Sequence, residues 1–254
     1  MTGKPSLEAL GARAWQIHRR AEADALEHLV RPSVPILFFG DSESYLASRV
    51  RVLTVGLNPS REEFPRANPF SRFQYSERVD ASADLDLTAY LRSLNDYFRL
   101  NPYREWFDPS FEPLLSGLGA SYYAGCDSTA LHTDLCTPLA TDPTWSHLKS
   151  DERNLLRESG PRLWHDLVKA LAPDLVLVSI QRALADTISF PLAEDLGVVF
   201  ELDGPKRARP YRLEATRRYV DNGKVAVFVF GQAAQTPFGS VSANDKRVMG
   251  ARLR

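Results

Sequence analysis

Cysteine is nearly absent: Cys126 and Cys136 are the two in a chain of 254 residues. Two thiols cannot supply the four ligands of a protein-only iron–sulfur cluster, and nothing suggests a disulfide framework. No apolar run reaches the roughly 18 residues that a membrane span needs, and the first residues lack the apolar core of a signal peptide. A cytoplasmic chain with no membrane partner is the expectation. Net charge is −1, so no global basic field draws the molecule to nucleic acid, and a DNA partner would have to be met by a local patch. The five histidines show no ligand spacing of the His-Glu-x-x-His kind, which argues against a metal site. A Gly-x-Ser-x-Gly elbow, a Walker phosphate loop and a Gly-x-Gly-x-x-Gly turn are all missing. These absences remove the commonest α/β enzymes. No internal repeat or low-complexity tract is present.

What remains is ordinary globular composition, 44% hydrophobic and 25% charged, enough for one large core or two modest ones. Residues 6–30 carry apolar side chains at three- and four-residue steps and predict a helix ended by Arg31-Pro32. Ile36 to Phe39 suggests a short extended piece. Buried-strand patterns follow at 51–56, 128–136, 174–180 and 225–230. Between them, helices are predicted over 87–100, from Asp108 to Gly119, over 151–171 and over 181–188. Tyr211 to Val220 and Val225 to Phe230 flank Asp221-Asn222-Gly223, a strong hairpin signal. The alternation predicts an α/β fold, a three-layer αβα arrangement with a central four-stranded, mainly parallel sheet and a C-terminal β-hairpin extension. We expect a single domain over 1–254, with 1–49 a helical extension and 50–245 the core.

The chain is organised around Arg51-Val52-Leu53-Thr54-Val55-Gly56-Leu57-Asn58-Pro59-Ser60. A short β-branched run stops abruptly at residues that suit a tight polar loop. In an open α/β sheet, ligands bind at the carboxyl ends of strands, so Asn58 is delivered to the expected active edge. An Asn that merely caps its own turn gives the same pattern. Two further loops leave strand ends: the Pro- and Thr-rich one after Asp134, and Gly231 to Ser240. The long segment from Arg61 to Asp86 reads as an ordered functional loop. His18 and His28, on the first helix, are expected to be solvated.

The strand ending Gly56-Leu57-Asn58-Pro59-Ser60 resembles the first active-site motif of the uracil-DNA glycosylase superfamily, closest to the Gly-Ile-Asn-Pro-Gly of its mismatch-specific thymine/uracil branch. Asn68-Pro69-Phe70-Ser71-Arg72-Phe73 sits where that branch has a segment shaping the base pocket. Leu131 to Cys136 is similar to the second family strand, which often carries a base-reading Asn. Asp174 to Leu184 resembles the strand-to-helix step, and the loop at Gly231 falls where the family keeps a His-Pro-Ser loop for the minor groove. The likeness spans roughly residues 50–245, and only the first motif is specific. Two departures stand out: Ser60 replaces the usual Gly, and the second-motif His is missing, with Gly231, Gln232 or Gln235 near its place.

The resemblance implies a DNA glycosylase with no metal or organic cofactor, acting on DNA as a monomer. Asn58 and Asp134 would be its catalytic pair. Gly56, Leu57, Pro59, Ser60, Phe70, Ser71, Phe73 and His132 would line the base pocket, with Phe73 or Phe70 stacked on the flipped base. Gly231, Gln232, Gln235, Thr236, Ser240, Lys246 and Arg247 would bind DNA, with Phe238 as a wedge. Core packing for the aromatic rings, and a solvated loop for the rest, are the competing readings. Asp134 at the base-reading position changes the hydrogen-bond code, because an ionised carboxylate only accepts. That suits a base presenting an amino donor, as cytosine does. A modified cytosine, such as the hypermodified cytosines of some viral DNA, is the expected target, in a role of defence against foreign DNA. Repair of uracil or thymine mismatches is one alternative, and a non-catalytic nucleic-acid or nucleotide binding module another. A third is an unrelated hydrolase or transferase acting on free nucleosides. Lys206, Arg207, Arg209, Arg212, Arg217 and Arg218 before and within the hairpin, with Lys246, Arg247, Arg252 and Arg254 at the end, could form a DNA track, or merely a solvated face.

Overall fold

The structure is a computed structural model that describes residues 4–76, 85–203, 209–221, 223–232 and 236–254. The chain divides into two compact units. One comprises Met1–Ser42, Leu57–Tyr103 and His132–Leu171, and the other Glu43–Gly56, Arg104–Leu131 and Ala172–Arg254.

The fold is α/β, built on a mixed seven-stranded sheet. Its strands are β1 (Val52–Gly56), β2 (Ala120–Ser121), β3 (Ser128–Asp134), β4 (Leu175–Val178), β5 (Leu192–Leu202), β6 (Tyr211–Asp221) and β7 (Lys224–Phe230). They lie in the order β2-β3-β1-β4-β7-β6-β5. The four strands expected from the sequence are β3, β1, β4 and β7, neighbours at the middle of a larger sheet. β1 and β4 are buried along their whole length, which explains the unbroken apolar run of β4 and a β1 whose one polar side chain, Thr54, is buried against Tyr122 Oη and Leu131 O. β1 pairs parallel with β4, and β4 with β7, so these three carboxyl ends share one edge. β6 and β5 then add in antiparallel fashion. The hairpin is thus no appendage, since one of its arms is the core strand β7. β5 escaped the sequence reading because most of it is exposed at the sheet edge, leaving neither an apolar run nor clean alternation.

Chain order and strand order disagree at β1. The next long strand, β3, lies on one side of it, and the one after, β4, on the other. In open α/β sheets ligands bind outside the carboxyl ends of strands at a reversal of this kind; Asn58 directly follows β1 in the chain, and Asp134 ends β3.

In the first unit, α1 (Leu7–Ala23) starts at an N-cap, Ser6, whose side chain accepts from the Ala9 N–H. It buries Leu10, Ala14, Trp15, His18 and Ala21. The helix ends at Asp24, short of the expected Val30, because Ala25 takes a positive φ of 52° and Leu29 bridges to Thr141 instead. His18 is buried, not solvated: its Nε2 lies 3.2 Å from Ser33 Oγ and its Nδ1 3.4 Å from Glu22. His28 is half-buried, with Nε2 2.8 Å from Glu152. The extended piece ending at Phe39 exchanges both backbone hydrogen bonds with His132.

In the second unit, α2 (Ser42–Ala47) begins at the unit boundary. Three of the expected helices are broken. Residues 87–100 divide at Asp96 into α3 (Leu87–Asn95) and α4 (Tyr97–Leu100) of the first unit. α5 (Arg104–Ser110) runs through Pro109 in the second, and α6 (Glu112–Leu118) follows it to Gly119, φ 78°. Residues 151–171 form α7 (Ser150–Leu156) and α8 (Gly160–Leu171) of the first unit. α8 starts where the backbone runs hard against the loop after β3: a Cβ on Gly160 would lie 1.8 Å from the Cys136 carbonyl oxygen. α9 (Arg182–Ala185) and α10 (Ala243–Leu253) complete the second unit, where α10 packs on α6 so closely that a Cβ on Gly250 would meet Leu114 O at 2.0 Å. Among the described residues no helix is long and apolar enough to cross a membrane.

Candidate active site

The polypeptide after β1 is held by the loop after β3. The Cys136 N–H donates to Leu57 O at 2.9 Å, the Thr141 N–H donates to Pro59 O at 3.2 Å, and Ser60 pairs with Thr141 as a parallel bridge. Ser60 then caps a single turn, Arg61–Glu63, its Oγ accepting from the Glu62 N–H. Gly56 and Pro59 are buried, while Leu57 and Ser60 are half-buried.

Asn58 is half-buried, and its amide nitrogen is committed. Nδ2 donates to Pro59 O at 2.7 Å and to Thr141 Oγ1 at 2.9 Å, with Leu139 O at 3.5 Å. Thr141 in turn donates its hydroxyl to Pro143 O at 2.9 Å, leaving its lone pairs for Asn58. Both amide hydrogens are thereby used, and Oδ1 has no partner among the described residues. The side chain can therefore act on a ligand only as an acceptor. Thr141, fully buried, was not singled out from sequence; one Thr in a Pro/Thr-rich loop has no distinguishing pattern.

Asp134 and His132 point into the interior of the same unit, 9% and 2% exposed, with His132 Nε2 3.7 Å from Asp134 Oδ1. Close to Asp134 lies a second acid that the sequence did not mark, Glu63. It is buried and accepts from Tyr97 Oη at 2.6 Å, and that oxygen also accepts from the Tyr103 N–H at 2.9 Å. Burial pushes the Glu63 pKa up to about 8, and the negative charge of Asp134 acts in the same direction. The Tyr97 hydrogen bond and Arg72 oppose this and are outweighed. At neutral pH Glu63 is therefore a neutral acid able to donate, beside Asp134.

The aromatic residues separate into two roles. Phe73 is fully buried, stacked on Phe64 at 5.3 Å and packed against Tyr97 at 5.3 Å. A ring with no exposed face cannot receive a flipped base, so the expected stacking role of Phe73 gives way to core packing. Phe70 is half-buried and meets Phe64 edge-on at 6.5 Å, which leaves it a face to offer. Ser71 is half-buried, its carbonyl accepting from Asn101 Nδ2 at 3.4 Å.

The remaining predicted residues belong to the second unit. Gln232, Thr236, Ser240 and Arg247 are exposed, and Gly231 is half-buried. Gln235 lies outside the described residues. Phe238 is fully buried, edge-on to Phe111 at 5.9 Å, with its N–H donating to Ser179 Oγ at 2.7 Å. It cannot serve as a wedge from there. Its ring fills the space a side chain at Gly231 would need, 2.5 Å from a built Cβ. Lys246 is likewise no phosphate ligand. Buried, it donates to Pro109 O at 2.8 Å, Ser110 O at 2.9 Å and Pro237 O at 3.2 Å, using all three hydrogens. Burial pushes its pKa down to about 8. Of the expected basic track, three arginines are engaged at the sheet and Arg209 is exposed. Arg212 pairs with Glu201 at 2.6 Å and Arg217 with Glu194, while Arg218 donates to Ile188 O and Phe190 O. Lys206 and Arg207 lie outside the described residues. Among the described residues no three His, Cys, Asp or Glu side chains gather as a metal ion would require.

Comparisons of the chain with protein-family models, with curated proteins and with solved structures find no match.

Proposed function

We propose that the chain is a DNA glycosylase that hydrolyses the bond between a non-standard base and its sugar, leaving an abasic site. The observation that carries this reading is the Asn58 amide, pinned through Nδ2 by Pro59 and Thr141 and left with Oδ1 as a lone acceptor at the carboxyl end of β1. In this reading Oδ1 accepts from a water molecule and aims its oxygen at the anomeric carbon. The base departs with the bonding electron pair, water adds to the oxocarbenium-like sugar and loses a proton, and the base gains one. An amide is a poor base, so the acceleration comes from positioning and from stabilising the departing base. Extruding the nucleotide costs a few kcal/mol, recovered in the pocket.

Asp134 and Glu63 are both buried, so in this reading the base must enter far enough to reach them; Asp134 then accepts from an exocyclic amine, and neutral Glu63 adds a donor nearby. This supports a modified cytosine, and with it a role against foreign DNA, over repair of uracil or thymine mismatches. In this reading the chain is one uracil-DNA-glycosylase-like domain with a three-layer core, working as a cytoplasmic monomer. It is tested by incubating the protein with duplexes carrying uracil, thymine mismatches or modified cytosines and counting abasic sites. Release from modified cytosine, shifted towards uracil by Asp134→Asn, is the expected result. Release unaffected by Asp134→Asn would remove Asp134 from base reading. Tight DNA binding with no release from any duplex would favour a non-catalytic binding module.

A further inference from the structure

Two guanidinium groups on the segment after Asn58 share one carboxylate oxygen. Arg61 Nε lies 3.3 Å and Arg66 Nη2 3.5 Å from Asp142 Oδ2. Both separations exceed the roughly 2.7–2.9 Å of a well-formed charge-assisted hydrogen bond. The same unit makes such a bond elsewhere, between Arg13 and Asp166 at 2.7 Å. Two guanidinium groups therefore divide one carboxylate oxygen between them, and neither holds it closely. The Arg66 side chain is 82% exposed and that of Asp142 43%, while Arg61, at 23%, reaches the surface through the carboxylate they share. Arg72, the third cation of this segment, is already engaged, donating to Glu62 O and Asn101 O and lying over the Tyr103 ring. Glu62 is the exposed carboxylate here, and it flanks Arg61 in sequence.

Asp142 also has a telling address. It directly follows Thr141, which accepts from the Asn58 amide, and Arg61 lies three residues beyond Asn58. The paired charges therefore stand on the two loops that hold the candidate catalytic side chain. We propose that Arg61 and Arg66 form a clip for a backbone phosphate of DNA, with Asp142 holding the two guanidinium groups in place until a phosphate displaces it. Guanidinium groups suit this task because their planar donors match phosphate oxygens. The clip rests on the glycosylase reading for its purpose, and it would fix the strand beside Asn58 without reading any base.

The test needs no reactive base. Binding of a fluorescein-labelled duplex of ordinary bases is followed by anisotropy from about 50 to about 200 mM salt, for the wild type, Arg61→Ala/Arg66→Ala and Asp142→Asn. Each lost phosphate contact makes the slope of log affinity against log salt shallower by about 0.9. The double variant is expected to lose roughly two such steps and at least tenfold in affinity at the low-salt end. Asp142→Asn is expected to bind several-fold tighter, an outcome that a folding defect would not produce. An unchanged slope in the double variant, or no gain in Asp142→Asn, would overturn the clip, as would tighter binding of free inorganic phosphate than of duplex. If the clip variants behave as expected while the wild type releases no base from any substrate, the clip stands and the glycosylase reading falls.

Discussion

Glu63 and Asp134 show how two carboxyl side chains of one unit can differ in what the sequence says about them. Asp134 ends a legible strand and so attracts notice, whereas Glu63 follows Glu62 in an irregular loop and gains its character only from burial against Tyr97. That character has a measurable consequence. The folded-state pKa of Glu63 stands near 8 against an ordinary 4.5, so the folded protein binds more protons than the unfolded chain between these values. Stability must then fall as pH rises through that window, by up to about 1.4 kcal/mol per pH unit, and level off above it. Glu63→Gln keeps an acceptor for Tyr97 and removes the titration. We expect the variant to gain a few kcal/mol over the wild type at pH 8 and little at pH 4.5, as measured by urea unfolding at both. Equal gains at the two values would mean that Glu63 titrates normally.

At the scale of elements, close backbone approach marks what periodicity missed. The apolar pattern of residues 151–171 fits one helix, yet two form, and α8 begins at Gly160 hard against the Cys136 carbonyl. Gly160-Pro161 was the available signal, and its meaning depended on a neighbour more than twenty residues earlier in the chain. Gly160→Ala should cost about 3 kcal/mol or more, since a backbone carbonyl cannot yield as a side chain would. Because Cys136 is the residue whose N–H holds Leu57, on the glycosylase proposal the same change should also slow base release in whatever protein still folds. A shift of unfolding midpoint equivalent to less than about 1 kcal/mol would show that the loop gives way freely. The strands tell the opposite story. β1, β4 and β7 were legible from short, largely apolar runs, whereas β5 is exposed and left none.

For the whole molecule, strand order was out of reach of the sequence, since pairing between distant segments leaves no local mark. It is this order that turns three separate motifs into an argument, by reversing direction at β1, where Asn58 emerges. The charge map was similarly opaque. The arginine-rich hairpin looked like a DNA track, but its partners Glu194 and Glu201 come from the strand that was not foreseen. Two arginines that share one carboxylate oxygen stand instead on the segment after Asn58, at Arg61 and Arg66. Of the candidate site, Asn58 and Asp134 were legible from motif and strand end. Thr141, Glu63 and Tyr97 were not, because each owes its place to a contact across the fold.

The most direct measurement is single-turnover formation of abasic sites by the wild type, Asn58→Ala and Thr141→Val on whichever modified-cytosine or uracil duplex is cleaved fastest. If Asn58 aims the water and Thr141 aims Asn58, the alanine variant should be slower by at least about a hundredfold. Thr141→Val, which keeps the shape and loses the acceptor, should fall between it and the wild type. Equal rates for all three proteins, or no abasic sites from the wild type on any duplex, would contradict the account.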